Sequence, residues 1–251
     1  MRSFRDQAHR RNYSIRSYEV DAGGTMSVPS IFNLLQDAAS SHAFELGVAV
    51  SQLMAENATW VLSRILLKMI RYPVWRDAIQ VHTWPSGILG AFAFRDFDLR
   101  DETDRSIGCA RSAWIVIDAQ SRRPIRPTLF ADRLKPSEKE PVTNDTLNKL
   151  PQPRGGDWVE KRFHVRYGDL DINQHVNNVS YIEWLLESIP GIGETRLALK
   201  ELEINFLGEA LQGDQVTAKC VASRGNKNEF GHSVVREKDA HELIRARTVW
   251  R

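Results

Sequence analysis

The amino-acid sequence predicts an α+β protein made of two copies of one unit, each a long helix followed by a meandering antiparallel sheet. The first observation behind this is an internal repeat. Shifting the chain by 150 lays Ser30-Ile31-Phe32-Asn33-Leu34-Leu35-Gln36-Asp37 over Ser180-Tyr181-Ile182-Glu183-Trp184-Leu185-Leu186-Glu187, and Asp21 over Asp171. A shift of 135 brings residues 77–81 near 212–216, and one of 136 brings Ala110-Arg111-Ser112-Ala113-Trp114 over Ala246-Arg247-Thr248-Val249-Trp250. Each match alone is weak, but three in one order mark a duplicated unit. The second observation is period: apolar residues recur with helical spacing once per half and alternate in several shorter runs after it.

Taken in order, residues 1–11 carry several arginines with no apolar run behind them, which reads as a frayed, solvated arm. A helix from Ser30 to about Gly47 buries Ile31, Leu34, Leu35, Ala38 and His42, and Gly47 supplies its stop. Strands are expected over residues 61–70, 79–84, 91–99 and 109–117; in the first, Val61, Ile65, Leu67 and Met69 share one face and Arg64 and Lys68 the other. Residues 119–157, with Pro124, Pro127, Pro136, Pro141, Pro151 and Pro153, read as a linker between domains 1–118 and 158–251. In the second half Asn177 or Asn178 caps a helix with Ile182, Leu185, Leu186 and Ile189 on its apolar face, and strands follow over 202–206, 215–221, 232–237 and 243–250.

Composition narrows the function. A formal net charge of +2 without a run of like charge gives no footprint for nucleic acid. Cys109 and Cys220 lie far apart and form no C-x-x-C, so neither a disulfide framework nor a metal site is expected, and no cofactor motif is present. A reducing cytoplasm fits that usage, and no apolar run is long enough to span a bilayer.

Chemistry concentrates at Asp171-Ile172-Asn173-Gln174-His175. In an extended chain the carboxylate, amide and imidazole, two residues apart, share one face. The helix behind them offers unpaired backbone N–H groups, near Val176 and Asn177, to a developing oxyanion. A capped polar turn is the alternative reading. The repeat weighs against it: Asn173 falls on Gly23, His175 on Thr25 and, at shift 135, Glu209 on Val74, so only the second half keeps Asp171, Asn173, His175 and Glu209 together. The first half is left to supply an apolar pocket, lined by its helix and by residues 60–69.

The run Asp169-Leu170-Asp171-Ile172-Asn173-Gln174-His175-Val176-Asn177-Asn178-Val179-Ser180-Tyr181-Ile182-Glu183-Trp184-Leu185-Leu186-Glu187-Ser188 resembles the signature of acyl-acyl-carrier-protein thioesterases of bacteria and plants. Gln36-Asp37-Ala38-Ala39 with His42, Trp60-Val61-Leu62-Ser63-Arg64, Arg71-Tyr72-Pro73 and Asn205-Phe206-Leu207-Gly208-Glu209 resemble further blocks of that family. The resemblance implies tandem hotdog domains, catalytic roles for Asp171, Asn173, His175 and Glu209, and an acyl carrier protein bearing a fatty acyl group as substrate. Plant members commonly have a cysteine after the glutamate. Ala210 stands there, which argues for attack by water over a thiol nucleophile. Glu209 is then the general base, His175 and Asn173 hold the water or thioester, and Asp171 orients its neighbours. Carriers are acidic, so Arg122, Arg123, Arg126, Arg133 and Lys135, or Arg64, Lys68 and Arg71, are candidate docking residues, with plain solvation as the alternative. Acyl-coenzyme A as substrate, and an acyl-binding protein without catalysis, are the competing functions; oligomeric state stays open, a homodimer included.

Overall fold

The computed structural model describes residues 8–193 and 197–251. The chain divides into two compact units, Met1–Leu147 and Asn148–Arg251.

In unit 1, β1 (His9–Ser14) and a 3-10 turn (Ser17–Glu19) lead into α1 (Val28–Glu45) and the short α2 (Val50–Met54). Four long strands follow, β2 (Ala58–Met69), β3 (Ala78–Leu89), β4 (Phe92–Asp101) and β5 (Ser106–Asp118), then β6 (Pro124–Ile125). The antiparallel order is β1-β3-β4-β5-β2, with β6 on β5. Local chemistry sets the helix ends: the Ser27 hydroxyl accepts from Ser30 N–H, Pro29 sits in the first turn, and Gly47 follows the last turn at φ +75. The face carrying Ile31, Leu35 and Ala38 is fully withdrawn from water. Burial of each large aliphatic side chain contributes about 1.5–3 kcal/mol, which outweighs the helix's modest intrinsic propensity.

Three expectations for this half change. Residues 9–11 belong to β1, where Arg11 Nε reaches Asp37 at 3.1 Å, while residues 1–7 of the expected arm lie outside the described residues. A bulge between Leu62 and Arg64 shifts the alternation, so Leu62, not Val61, joins Ile65, Leu67 and Met69 on the buried face. Much of the proline-rich segment is packed: Phe130 and Leu134 join Val48, Leu53, Ala58 and Val116 in one cluster, and Leu147 covers Leu66 and Ala113.

Unit 2 repeats the plan with β7 (Val159–His164), a 3-10 turn (Tyr167–Asp169), α3 (Asn178–Glu187), β8 (Leu199–Phe206), β9 (Gln215–Ser223), β10 (Asn226–Arg236) and β11 (His241–Trp250). Its order, β8-β11-β10-β9-β7, is that of unit 1 read from the other end. The helix lies over β7, β9 and β10, with Trp184 stacked on Phe163 at 5.8 Å and met edge-on by Tyr181 at 5.3 Å. The lead-in also packs here: Leu150 N–H donates to Asn205 Oδ1 at 2.7 Å, and Pro153 fills the space a Cβ at Gly231 would need.

The repeat can now be placed in register. Shift 150 holds through the helix, with Ser27 and Asn177 as N-caps. Shift 136 holds in the last strands, where Trp114 Nε1 donates to Ser112 Oγ at 2.8 Å and Trp250 Nε1 to Thr248 Oγ1 at 3.0 Å. The shift of 135 is replaced by 137. Asp77 accepts from Val74 N–H at 3.0 Å and Asp214 from Leu211 N–H at 3.0 Å, and each aspartate's carbonyl receives the N–H of Ile15 or Val165 at 2.9 Å. Glu209 therefore answers Tyr72 and not Val74. A slip of two leaves a strand's in-out pattern unchanged, which is why polarity alone did not detect it.

Candidate active site

Asp171 begins a tight turn and not an extended run. Its N–H donates to His175 O at 2.8 Å, its carbonyl accepts from Gln174 N–H at 3.0 Å, and its Oδ1 accepts from Asn173 N–H at 2.8 Å and His175 N–H at 3.4 Å. A short carboxylate is suited to this, since it can fold back on the amides of the next few residues. Gln174 takes φ +61 to close the turn. The single shared face expected for Asp171, Asn173 and His175 is thus replaced by a knuckle. Asp171 Oδ2 holds Asn173 Nδ2 at 3.3 Å, and His175 is carried round toward the segment after β8.

There His175 Nε2 stands 3.3 Å from Glu209 Oε2, with side chains 31% and 38% exposed, so water reaches both. The structure brings His175 to Glu209 and Asn173 to Asp171. Leu170 and Val176 pair as an isolated bridge, and Asn177 Oδ1 caps α3 by accepting from Val179 N–H at 3.0 Å.

The backbone amides expected to meet an oxyanion are already engaged. Val176 N–H donates to Ala210 O at 3.1 Å and Asn177 N–H to Asp169 O at 2.8 Å. The loop that delivers His175 consumes them, so these two amides are not free to meet a negative oxygen.

Two residues outside the expected set touch this backbone. Buried Tyr181 accepts from Ala210 N–H at 2.8 Å, and Arg236 Nη1 donates to Glu209 O at 2.7 Å. Burial holds the Tyr181 hydroxyl far above its ordinary pKa, so it stays protonated. A trace of Tyr181 is legible in the sequence: a tyrosine occupies an apolar helix position that is Ile31 in the other repeat. Nothing in the pattern marks Arg236.

Cys220 is buried on β9 with its thiol pushed up to about 12 by burial, and Ala210, directly after Glu209, is fully buried. Several basic residues named for carrier docking are occupied within unit 1: Arg133 pairs with Glu56 at 2.7 Å, Lys68 with Asp145 at 2.6 Å, Arg71 with Asp101 at 2.9 Å, and Arg64 donates to Leu147 O.

Comparison with known proteins bears on the family and the fold. Residues 6–128 match the model of the acyl-ACP thioesterase N-terminal domain and residues 154–251 that of the C-terminal domain. Palmitoyl-acyl carrier protein thioesterases, chloroplastic, from Cuphea hookeriana and Arabidopsis thaliana are 31% and 32% identical over 96% of this chain. The chain spans only 62% and 63% of those relatives' lengths. The 12:0-ACP thioesterase from Umbellularia californica superposes with TM-score 0.86 at 26% identity, covering 99% of both chains. An acyl-ACP thioesterase from Bacteroides thetaiotaomicron gives TM-score 0.84 at 25% identity over 98% of both. Each unit is accordingly a hotdog domain, and the chain belongs to the acyl-ACP thioesterase family.

Proposed function

We propose that this protein hydrolyses the thioester of fatty acyl-acyl carrier protein, releasing the free fatty acid, and that Glu209 is the general base. The observation that carries the reading is the 3.3 Å approach of Glu209 Oε2 to His175 Nε2 at a partly open surface, in the repeat that alone holds the full polar set. Glu209 takes a proton from water as the oxygen attacks the carbonyl carbon. The carbon–sulfur bond then breaks, and the carrier's thiolate leaves and takes up a proton. His175 holds the attacking water beside the carboxylate. Asn173, tethered by Asp171, offers its amide to the developing oxyanion in place of the occupied Val176 and Asn177 amides. Asp171 acts through the loop it shapes. Arg122, Arg123, Arg126 and Lys135, all exposed in the segment after β5, are the docking residues we favour for the acidic carrier, and two unbridged cysteines favour a reducing compartment, the cytoplasm.

The same contact supports a second reading, in which His175 takes the proton and Glu209 orients the ring. Single-turnover rates on fatty acyl-acyl carrier protein separate the two. With Glu209 as base, Glu209→Gln loses about 10²–10⁴-fold while His175→Gln, which still binds water, loses less. Near-normal turnover by folded Glu209→Gln removes Glu209 as the base, and greater damage from His175→Gln moves that role to the imidazole. Comparing one acyl group on the carrier protein and on coenzyme A tests the substrate; faster hydrolysis of the coenzyme A ester overturns it.

A further inference from the structure

The Glu209-Ala210 dipeptide is held from three directions. Val176 N–H donates to Ala210 O at 3.1 Å, Ala210 N–H donates to the Tyr181 hydroxyl at 2.8 Å, and Arg236 Nη1 donates to Glu209 O at 2.7 Å. Arg236 is itself fixed by Asp239, with Nε to Oδ1 at 3.0 Å and Nη2 to Oδ2 at 2.5 Å. That pairing drives the Asp239 carboxyl down to about 2, so both ends stay charged across the neutral range.

Unit 1 is a control built into the same chain. In register, Tyr72 and Pro73 stand where Glu209 and Ala210 stand. The first of the three bonds survives there, as Met26 N–H donates to Pro73 O at 2.8 Å. The second has neither partner: Pro73 has no N–H, and Ile31 replaces Tyr181. The third is gone too. Strand pairing sets Asp101 opposite Ile79 and Arg236 opposite Val216, so Asp101 answers Arg236, and it binds Arg71 instead. The bond common to both units is what the fold requires to close its loop on the strand. The two bonds peculiar to unit 2 accompany the carboxylate.

We infer that Tyr181 and Arg236 are positioning residues, which fix the backbone of residues 209–210 so that the Glu209 carboxylate is held at His175. This rests on Glu209 being the base. The two bonds fall on the two sides of one peptide group, the Glu209 carbonyl and the Ala210 N–H, and so fix the orientation of that plane and with it the direction in which the Glu209 side chain leaves the main chain. A misplacement of about 1 Å at a reacting group costs as much as 10²-fold in rate. The energy of these bonds therefore appears in turnover more than in substrate binding.

The test is a double-mutant cycle on fatty acyl-acyl carrier protein, with melting temperature as the check on folding. Tyr181→Phe keeps the ring and removes the acceptor; Arg236→Gln removes the charged donor, and Arg236→Lys restores part of it. Each loss variant is expected to lower kcat by about 10- to 100-fold with KM little changed, and Arg236→Lys to recover part of that. On the Glu209→Gln background the same changes are expected to cost nothing further, because the group they position is already absent. Asp101→Asn, which breaks the unit 1 pair with Arg71 at the position that answers Arg236, is expected to keep normal kcat. Unchanged kcat in folded Tyr181→Phe and Arg236→Gln overturns the inference, and so does an equal further loss on the Glu209→Gln background. If Tyr181→Phe does not fold, Arg236→Gln and Arg236→Lys decide by themselves. An active Glu209→Gln sinks the underlying reading instead, whatever the other variants do.

Discussion

The loops at residues 21–25 and 171–175 are one backbone carrying two sets of side chains. Asp21 N–H donates to Thr25 O at 2.8 Å, Gly24 N–H returns to Asp21 O at 2.9 Å, and Asp21 Oδ1 accepts from Gly23 N–H at 2.9 Å and Thr25 N–H at 3.1 Å. Asp171 makes the same four bonds with Asn173, Gln174 and His175. The aspartate is thus the architectural member in both copies, and the chemistry we propose is assigned to residues that the architecture does not demand. Replacing Asn173 by Gly and His175 by Thr turns the second loop into the first. Because the four bonds shared by the two loops are supplied by Asp171 and the backbone, the melting temperature should hardly move. Turnover should fall by about 10²–10⁴-fold, as for loss of the base. A large drop in melting temperature would show that Asn173 or His175 carries the loop and that the two copies differ in architecture as well.

Unit 1 buries His42 and His82 and unit 2 buries His232, and burial lowers the pKa of all three, which predicts acid sensitivity. In unit 1, His42 Nδ1 accepts from Arg95 Nη1 at 3.0 Å, with His9 stacked on the ring at 5.4 Å and bonded at 3.3 Å to Glu45. Burial, then Arg95, then His9 push the His42 pKa down to about 3. In unit 2, His232 Nε2 lies 2.9 Å from Thr248 Oγ1, and burial alone takes its pKa down to about 3. Both imidazoles titrate near 6.5 when unfolded. The unfolded chain therefore binds more protons between those limits, and the stability they contribute is intact above about pH 6.5 and drains away as pH falls toward 3. Each group adds about 1.4 kcal/mol per pH unit within that window. Denaturant melts from pH 7 to pH 4 should show stability falling with pH, and His42→Gln or His232→Gln should each make that fall shallower. If one variant removes nearly all of it, a single unit controls acid unfolding.

These contrasts also explain what could be read from the chain alone. The helix at 178–187 was legible because Ile182, Leu185 and Asn177 act through neighbours three or four residues away, and the strands because alternation is local. The pairing of His175 with Glu209 was legible only through the family resemblance. The knuckle at Asp171 was missed because an aspartate two residues before an asparagine suits a strand face and a turn equally well. The Val176 and Asn177 amides looked free because their acceptors, Ala210 O and Asp169 O, are backbone atoms that no residue type announces. Arg236 was illegible for the same reason: it is one arginine of a strand, and its partner is a carbonyl 27 residues away.

The smallest difference between the loops is at their fourth position, where Gly24 has φ +78 and Gln174 φ +61. This left-handed region costs a residue with a Cβ about 1–2 kcal/mol and glycine nothing. Glycine gives back about 0.4–1 kcal/mol of that through its freer unfolded chain. Gln174→Gly should therefore stabilise by at most about 1.6 kcal/mol, and Gly24→Gln should destabilise by a similar amount. No atom lies within 4 Å of a Cβ built at Gly24, so backbone preference and not crowding sets that second value. Turnover should stay unchanged in both variants, since the bonds of Asp171 hold Asn173 and His175 whichever residue lies between them. Should Gln174→Gly gain stability and lose turnover together, the strain at Gln174 would be stiffening the loop that carries the site, and the two loops would differ in rigidity as well as in side chains.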